Sequence, residues 1–361
     1  VELILLDKDF QISGLIEKFT SLQWNRRYYD AGDFELHMAS EYFPLLSNSR
    51  YIYHGAADET AIIEHILFSR TQSNQTDLVL RGRFLEALLA ERVIPTTMTF
   101  SGNLETSIRR MVQTCAMTGA RAIPLLELGD VAGFTQTAAF QATGDVLMEK
   151  LYSTLQGYGI SFRVRYDYLA NKLLFTLWQG KNRSQDQTEN GAAIFSDSYE
   201  NILETTYTYS RSDYKNFAYV AGAGEGTARI VETVDKIAPG EDRRELYVDA
   251  RDLSPETEDG IMLTDAEYRT ILRARGEEKL SEFQTVEAID GKADPNANLK
   301  YRTDYDLGDI CDYANPGIGL EIQKRITEIR EVYEGGHMRL DTVFGEDYIR
   351  NVRKLIQREV S

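Results

Sequence analysis

Apolar and polar side chains alternate along much of the first 95 residues, the pattern of half-buried strands. Leu3-Ile4-Leu5-Leu6 reads as a first strand. Asp7 cuts that run short and no basic segment precedes it, so it is not expected to be a signal peptide. Residues 11–16 and 21–29 have strand character, and Asp30-Ala31-Gly32-Asp33 is a turn signal because glycine enters backbone regions closed to other residues. Phe34-Glu35-Leu36-His37-Met38 alternates again, so 21–38 predicts a β-hairpin. Further strands are expected at 51–53, 61–68 and 77–82, then a short helix at 84–92 with Leu85, Leu88 and Leu89 on its apolar side.

The period then lengthens. Leu104, Ile108, Met111, Val112 and Cys115 fall on one face of a helix expected over 103–117, and Val146, Leu147, Leu151 and Leu155 on one over 143–158. A hairpin is predicted from 160–166 and 172–178, completing an α+β module. Strands return at 203–210, 216–222, 227–234 and 245–249. Thr264 and Glu267 make a capping box, which predicts a helix running to about residue 283. Strands are expected at 284–288, 307–313 and 321–333, loops at 252–260 and 290–298, and a charged helix over 345–360. No tandem repeat of fixed period interrupts this order of β-rich end, α+β middle and second β-rich end.

Composition narrows the function classes. A chain of 361 residues is expected to form two to four domains, and 42% hydrophobic with 27% charged residues predicts folding rather than disorder. Tyrosines number 21 against 2 tryptophans, which suits strands and interfaces where one end of the ring packs and the hydroxyl stays wet. The formal net charge of −17 argues against a broad phosphate-binding face and lets nucleic acid pass without sticking. Cys115 and Cys311 make no disulfide framework and fit assembly in a reducing cytoplasm. No apolar run reaches the ~18–20 residues of a spanning helix.

Each candidate chemistry has a plainer reading. Gly222, Gly224 and Gly226 follow a strand, but the spacing is not a dinucleotide or phosphate loop and another strand follows, so a hairpin turn is expected. His37, His54, His65 and His337 lack metal-ligand spacing. Asp290, Asp294 and Asn296 lack the glycine and bidentate glutamate of a calcium loop. No nucleophile elbow occurs, and Cys115 lies on the apolar face of its helix. Arg26-Arg27 beside Trp24 and Tyr28-Tyr29 have the chemistry to bind nucleic acid by charge and stacking; in so acidic a chain an intrachain or intersubunit contact is the expected role. No catalytic, metal or cofactor-binding residue is assigned.

The segment Trp24-Asn25-Arg26-Arg27-Tyr28-Tyr29-Asp30-Ala31-Gly32-Asp33-Phe34-Glu35-Leu36 resembles the opening of the Gp37-like proteins of siphophages and prophages. Further pieces fall in the same order: residues 80–89 with Arg92-Val93-Ile94; Gly180 and Arg183; Phe195-Ser196, Tyr199 and Asn201; Tyr214-Lys215-Asn216; and Tyr301 with 304–310. The resemblance spans nearly the whole chain. It implies a structural, non-enzymatic tail-tip protein related to phage baseplate hubs. The implied fold is α+β and β-rich, with a β-barrel-like domain over 1–95, an α+β module over 96–200 and a second β-barrel-like domain from 201–245 and 300–345. An inserted helix and loop segment over 246–299 and a C-terminal helix over 346–361 complete it.

The resemblance also implies an assembly. Three chains would form a homotrimeric ring of pseudo-sixfold symmetry, joining a sixfold tail tube to a threefold tip. Its partners would be distal tail and tube proteins, the tape-measure protein and tip fibre or spike proteins, with DNA only in passage and no membrane-spanning segment. The place would be the virion tail tip, after assembly in the bacterial host cytoplasm; any hydrolase domain would lie elsewhere. The alternatives are a carbohydrate-active tail lysin using an Asp or Glu pair, and a receptor-binding module with exposed Tyr and Trp platforms. Arg26, Arg27, Asp33 and Glu35 in the first β region, and Asp304, Asp306 and Asp309 in the last, are the candidate assembly-interface residues, because charge pairs set register and partner choice.

Overall fold

The computed structural model of the chain describes residues 2–55, 57–70 and 76–345. The first region holds β1 (Leu3–Leu6), β2 (Ile12–Ile16), β3 (Ser21–Arg27), β4 (Asp33–Met38), β5 (Tyr51–His54), β6 (Thr60–Ile62), β7 (His65–Arg70) and β8 (Thr76–Arg83). The middle holds β9 (Met98–Asn103), α1 (Leu104–Ala116), β10 (Leu126–Leu128), β11 (Thr137–Ala142), α2 (Leu147–Gln156), β12 (Ser161–Asp167) and β13 (Lys172–Trp178). The last region holds β14 (Ile194–Ser196), β15 (Ile202–Ser210), β16 (Phe217–Ala221), β17 (Val231–Asp235), β18 (Glu245–Asp249), α3 (Asp265–Ser281), β19 (Val286–Ala293), β20 (Ile310–Asn315), β21 (Leu320–Glu334) and β22 (His337–Gly345).

The predicted hairpin forms. In β3 and β4 Trp24 lies opposite Phe34 and Leu22 opposite Leu36, and these side chains are buried together on one face. Alternation carries the same inward face on to Arg26, so the strand itself drives a guanidinium into the interior. On its other side β3 pairs antiparallel with β21, placing Glu331 opposite Trp24, Ile329 opposite Arg26 and Glu328 opposite Arg27. Arg26 and Glu331 therefore share the inner face of this seam, and Arg27 and Glu328 the outer.

That pairing overturns the expectation of two β-barrel-like domains. Strands of the two β-rich ends merge into one ten-stranded sheet in the order β15-β19-β22-β21-β3-β4-β8-β7, with β20 also on β21 and β14 on β20. No sheet among the described residues closes into a barrel. The fold is α+β and β-rich with several sheets. Alternation marks which face of a strand is buried but not which strand lies beside it, so two β-rich runs read as two closed units when they share one open sheet.

Four hydrophobic cores fill the molecule. Leu3, Leu5 and Ile52, from the sheet β2-β1-β5-β6, pack with Trp24, Phe34 and Leu80 of the large sheet. The middle core gathers α1, α2 and the β12–β13 hairpin around Ile108, Met111, Leu151 and Phe175, with Leu85 and Leu89 from the segment after β8. The third packs Tyr28, Phe195, Ile329 and Phe344. The fourth seats Tyr268 and Leu272 of α3 on the sheet β17-β16-β18. The Thr264–Glu267 capping box forms, and Asn103 caps α1 by accepting from the Thr106 N–H at 2.9 Å.

Several element expectations need correction. Residues 61–68 are two strands, because backbones cross there: a Cβ on Gly82 would lie 1.8 Å from the Ile62 carbonyl oxygen. The helix expected over 84–92 is a 3₁₀ helix, Leu85–Glu91. The helix expected from residue 143 starts at Leu147. β19 continues to Ala293, into the expected loop, since both its edges are paired by β15 and β22. The strand expected from residue 307 starts at Ile310, and β22 is an additional strand. The C-terminal helix expected over 346–361 lies outside the described residues.

Candidate functional site

On the inner face of the seam, Arg26 is only 3% exposed. Its Nε donates to Glu59 Oε1 at 2.7 Å, and its Nη1 donates to Asp306 Oδ1 at 2.6 Å and to the Tyr301 hydroxyl at 2.7 Å. The Tyr301 hydroxyl in turn donates to Glu331 Oε1 at 2.7 Å. Arg302 Nη2 reaches the same oxygen at 2.8 Å, and the Tyr333 hydroxyl donates to Glu331 Oε2 at 2.6 Å. Burial alone would lower the Arg26 pKa, but Glu59, Tyr301, Asp306 and Glu331 hold it well above the ordinary value. Burial alone would raise Glu331, but Arg302, the Tyr333 hydrogen bond and Arg26 hold it below the ordinary carboxylate range.

The outer face carries a second network. Arg27 Nε donates to Glu328 Oε2 at 3.1 Å, and its Nη1 pairs with Asp33 Oδ2 and reaches the Ala31 carbonyl at 3.3 Å. Arg330 completes the row, donating to Glu328 Oε1 at 3.0 Å and Asn25 Oδ1 at 3.2 Å. Gly32 lets the turn close over this row: a Cβ there would meet the Asn25 carbonyl oxygen at 2.3 Å and the Phe84 ring at 2.4 Å. On the inner side, in the segment between β19 and β20, Arg302 holds a left-handed backbone with φ of 65° while paired to Glu331.

The candidate residues separate into groups. Arg26 and Asp306 meet, and Arg27 and Asp33 meet, both within the chain. Asp309 is buried next to them, accepting from the Asp306 N–H at 3.1 Å, the Lys181 N–H at 2.7 Å and Arg183 Nε at 2.7 Å. It so ties the segment after β13 to the last region. Glu35 stands apart on β4, bonded to His37 Nε2 at 2.8 Å and Arg81 Nε at 2.7 Å. Asp304 only closes a local turn through the Lys300 N–H at 2.7 Å. Sequence reasoning passed over Glu59, Arg302, Glu328, Glu331 and Tyr333. The available signal was two glutamates spaced by three inside a β-branched strand, which puts one on each face and demands a buried cation for each.

Chemically the network is a clamp. Its carboxylates are taken up by guanidinium, hydroxyl and amide donors. Among the described residues no group of three or more His, Cys, Asp or Glu is placed to hold a metal ion, and no helix is long and apolar enough to cross a membrane. Cys115 and Cys311 are both free and buried, and burial pushes the Cys311 thiol far up.

Comparison with known proteins follows the same line. The model of the family described as Siphovirus ReqiPepy6 Gp37-like protein matches residues 2–346. No curated protein matches the sequence. Among solved structures, the tail protein from Neisseria meningitidis MC58 is similar with a TM-score of 0.59 at 11% identity, covering 97% of each chain. The 43 kDa tail protein of prophage MuSo2 from Shewanella oneidensis gives 0.56 at 14% identity, covering 95% of this chain and 98% of its own. The prophage tail protein gp18 from Listeria monocytogenes EGD-e gives 0.56 at 12% identity over 99% of both chains. At such identities the likeness is one of fold.

Proposed function

The chain belongs to the Siphovirus ReqiPepy6 Gp37-like protein family, and from that premise we propose that it is the subunit of a homotrimeric tail-tip ring joining a sixfold tail tube to a threefold tip. As a phage-tail protein of the baseplate-hub type it is structural rather than enzymatic. In this reading the ring touches distal tail, tube and tape-measure proteins on one side and fibre or spike proteins on the other. DNA meets it only in passage, and the ring is assembled in the host cytoplasm before it sits at the virion tip.

The observation supporting the ring is that the ten-stranded sheet ends in two open edges. At one edge every residue of β7 is exposed, including Ile66 at 45%, Leu67 at 54% and Phe68 at 48%. At the other, β15 exposes Leu203, Tyr207 and Tyr209. Open edges with apolar side chains are templates for strand pairing. Pairing β7 of one copy with β15 of the next is a head-to-tail contact, which closes into a ring when the rotation allows. The domain division over 1–95, 96–200, 201–245 with 300–345, 246–299 and 346–361 is kept as part of this proposal, without its barrels. The seven candidate residues are kept as assembly residues in this proposal: Arg26, Arg27, Asp33 and Asp306 act through the seam, where fixing β3 against β21 sets the relative position of the two edges, and Glu35, Asp304 and Asp309 act outside it.

The experiment is the native mass of the purified chain, with a projection image down the particle axis. A trimer that falls to monomer in Leu67→Lys, with the circular dichroism spectrum unchanged, is expected. A wild-type chain that stays monomeric at micromolar concentration, both alone and with tail-tube protein, would overturn the ring.

A further inference from the structure

Below the seam, where the first region, the middle module and Leu307 of the last region meet, lies a small cavity of about 20 Å³. Five buried polar atoms on its lining residues have no hydrogen-bond partner among the described residues: Glu59 Oε2, Glu86 Oε2, Arg163 Nε, Arg165 Nε and Trp178 Nε1. Each belongs to a group already fixed in place. Glu59 holds Arg26 through its other oxygen at 2.7 Å, and Glu86, only 6% exposed, accepts the Val164 N–H at 3.0 Å. Arg165 donates to Asp58 Oδ2 at 2.7 Å, and the Arg163 guanidinium lies 4.6 Å from the centre of the Trp178 ring.

No hydrogen bond joins these atoms to one another, and leaving all of them dry is costly. Their chemistry identifies the guest. A cation needs acceptors alone and an anion needs donors alone. Here three N–H donors share a lining with the Glu59 carboxylate and the Glu86 carboxyl, so the guest must both accept and donate. The volume admits one or two molecules of water size.

We propose that this cavity is a structural hydration site, in which one or two water molecules bridge donors among Arg163, Arg165 and Trp178 to the carboxyl oxygens of Glu59 and Glu86. The water then adds to the Arg165–Asp58 and Val164–Glu86 hydrogen bonds that join the β12–β13 hairpin to the loop before β6 and to the segment after β8. The site lies apart from the sheet edges and does not depend on the ring. It also connects to the clamp, because Glu59 bonds the water with one oxygen and Arg26 with the other.

The test is an atomic-resolution crystal structure of the full wild-type chain, with a second crystal soaked in bromide. The expected result is round density within hydrogen-bonding reach of at least one of the three donors and one of the two acceptors, with no anomalous bromide peak. A bromide peak in the cavity would make it an anion site and overturn the proposal. Direct contact of Arg163 or Arg165 with Glu86 or Glu59, leaving no density between them, would overturn it equally.

Discussion

Arg26 Nη1 lies 2.6 Å from Asp306 Oδ1, although 280 residues separate them along the chain. The two are unequal partners, since the Arg26 side chain is 3% exposed and that of Asp306 38%. Removing the arginine leaves the Glu59 carboxylate without its guanidinium and takes one cation from the network around Glu331, whereas Asp306 has solvent to turn to. Arg26→Ala is expected to cost about 3–5 kcal/mol, the usual penalty for breaking a buried charged network. Asp306→Asn is expected to cost about 1 kcal/mol or less. Urea unfolding of both variants checks the asymmetry; equal losses would mean that the buried charge is not what matters.

Glu331 sets an acid limit. Burial would raise its carboxyl, but Arg302, Tyr333 and Arg26 bring the folded value below the ordinary 4.5. A depressed folded pKa means that its stabilisation is present above the unfolded pKa and is lost as pH falls through the lowered one. Glu331→Gln should therefore weaken the protein at neutral pH and flatten its acid limb. Unfolding midpoints measured from neutral pH down into acid give the comparison.

Glu86 acts in the opposite direction. Burial pushes its carboxyl up to about 7, with Glu59 adding to the rise and the Val164 N–H and Arg163 opposing it. A raised folded pKa means stabilisation that is complete below the unfolded value and lost as pH rises through about 7. The shift corresponds to about 3 kcal/mol at most. Glu86→Gln should be nearly neutral in mild acid and more stable than wild type in mild base, as thermal melts across neutrality would show. Tyr152, whose hydroxyl burial and this carboxyl push further up, stays neutral over that range.

Gly32 and Gly55 make a paired test of close packing. A methyl at Gly32 collides with the Asn25 carbonyl and the Phe84 ring, while one at Gly55 meets nothing within 4 Å. Gly32→Ala is expected to cost about 3 kcal/mol, at the upper end for overpacking. Gly55→Ala should be neutral or slightly stabilising, because it restricts the unfolded chain. Unfolding in urea reads both.

Much of the local structure was legible because periodicity is written into each short run. The β3–β4 hairpin, α1 and the Thr264 capping box follow from spacing and cap chemistry alone. The pairing of β3 with β21 was not legible, since no local signal links Trp24 to Glu331. For that reason the barrels failed and the clamp was only half seen. Arg26, Arg27 and Asp306 stood out as charges beside aromatics or in an acidic run. Glu328 and Glu331 were passed over, although their spacing of three puts one on each face of β21, because the cations that meet them come from β3 and from the segment after β19. The cavity at Glu86 was invisible in sequence, being made by residues from three regions that meet only after folding.

The seam has a consequence in time as well as in space. At a synthesis rate of about 5–20 residues per second, the strand that pairs with β3 leaves the ribosome roughly 15–60 s after it, because Arg27 and Glu328 lie 301 residues apart. Throughout that interval the nascent hairpin keeps an open, tryptophan-bearing edge, and of the final partners of its inward arginine only Glu59 follows early. The clamp closes last. Until translation is nearly finished the early β region stays incomplete and exposed to wrong partners, and the central strands of the large sheet are committed only when the last of them arrives.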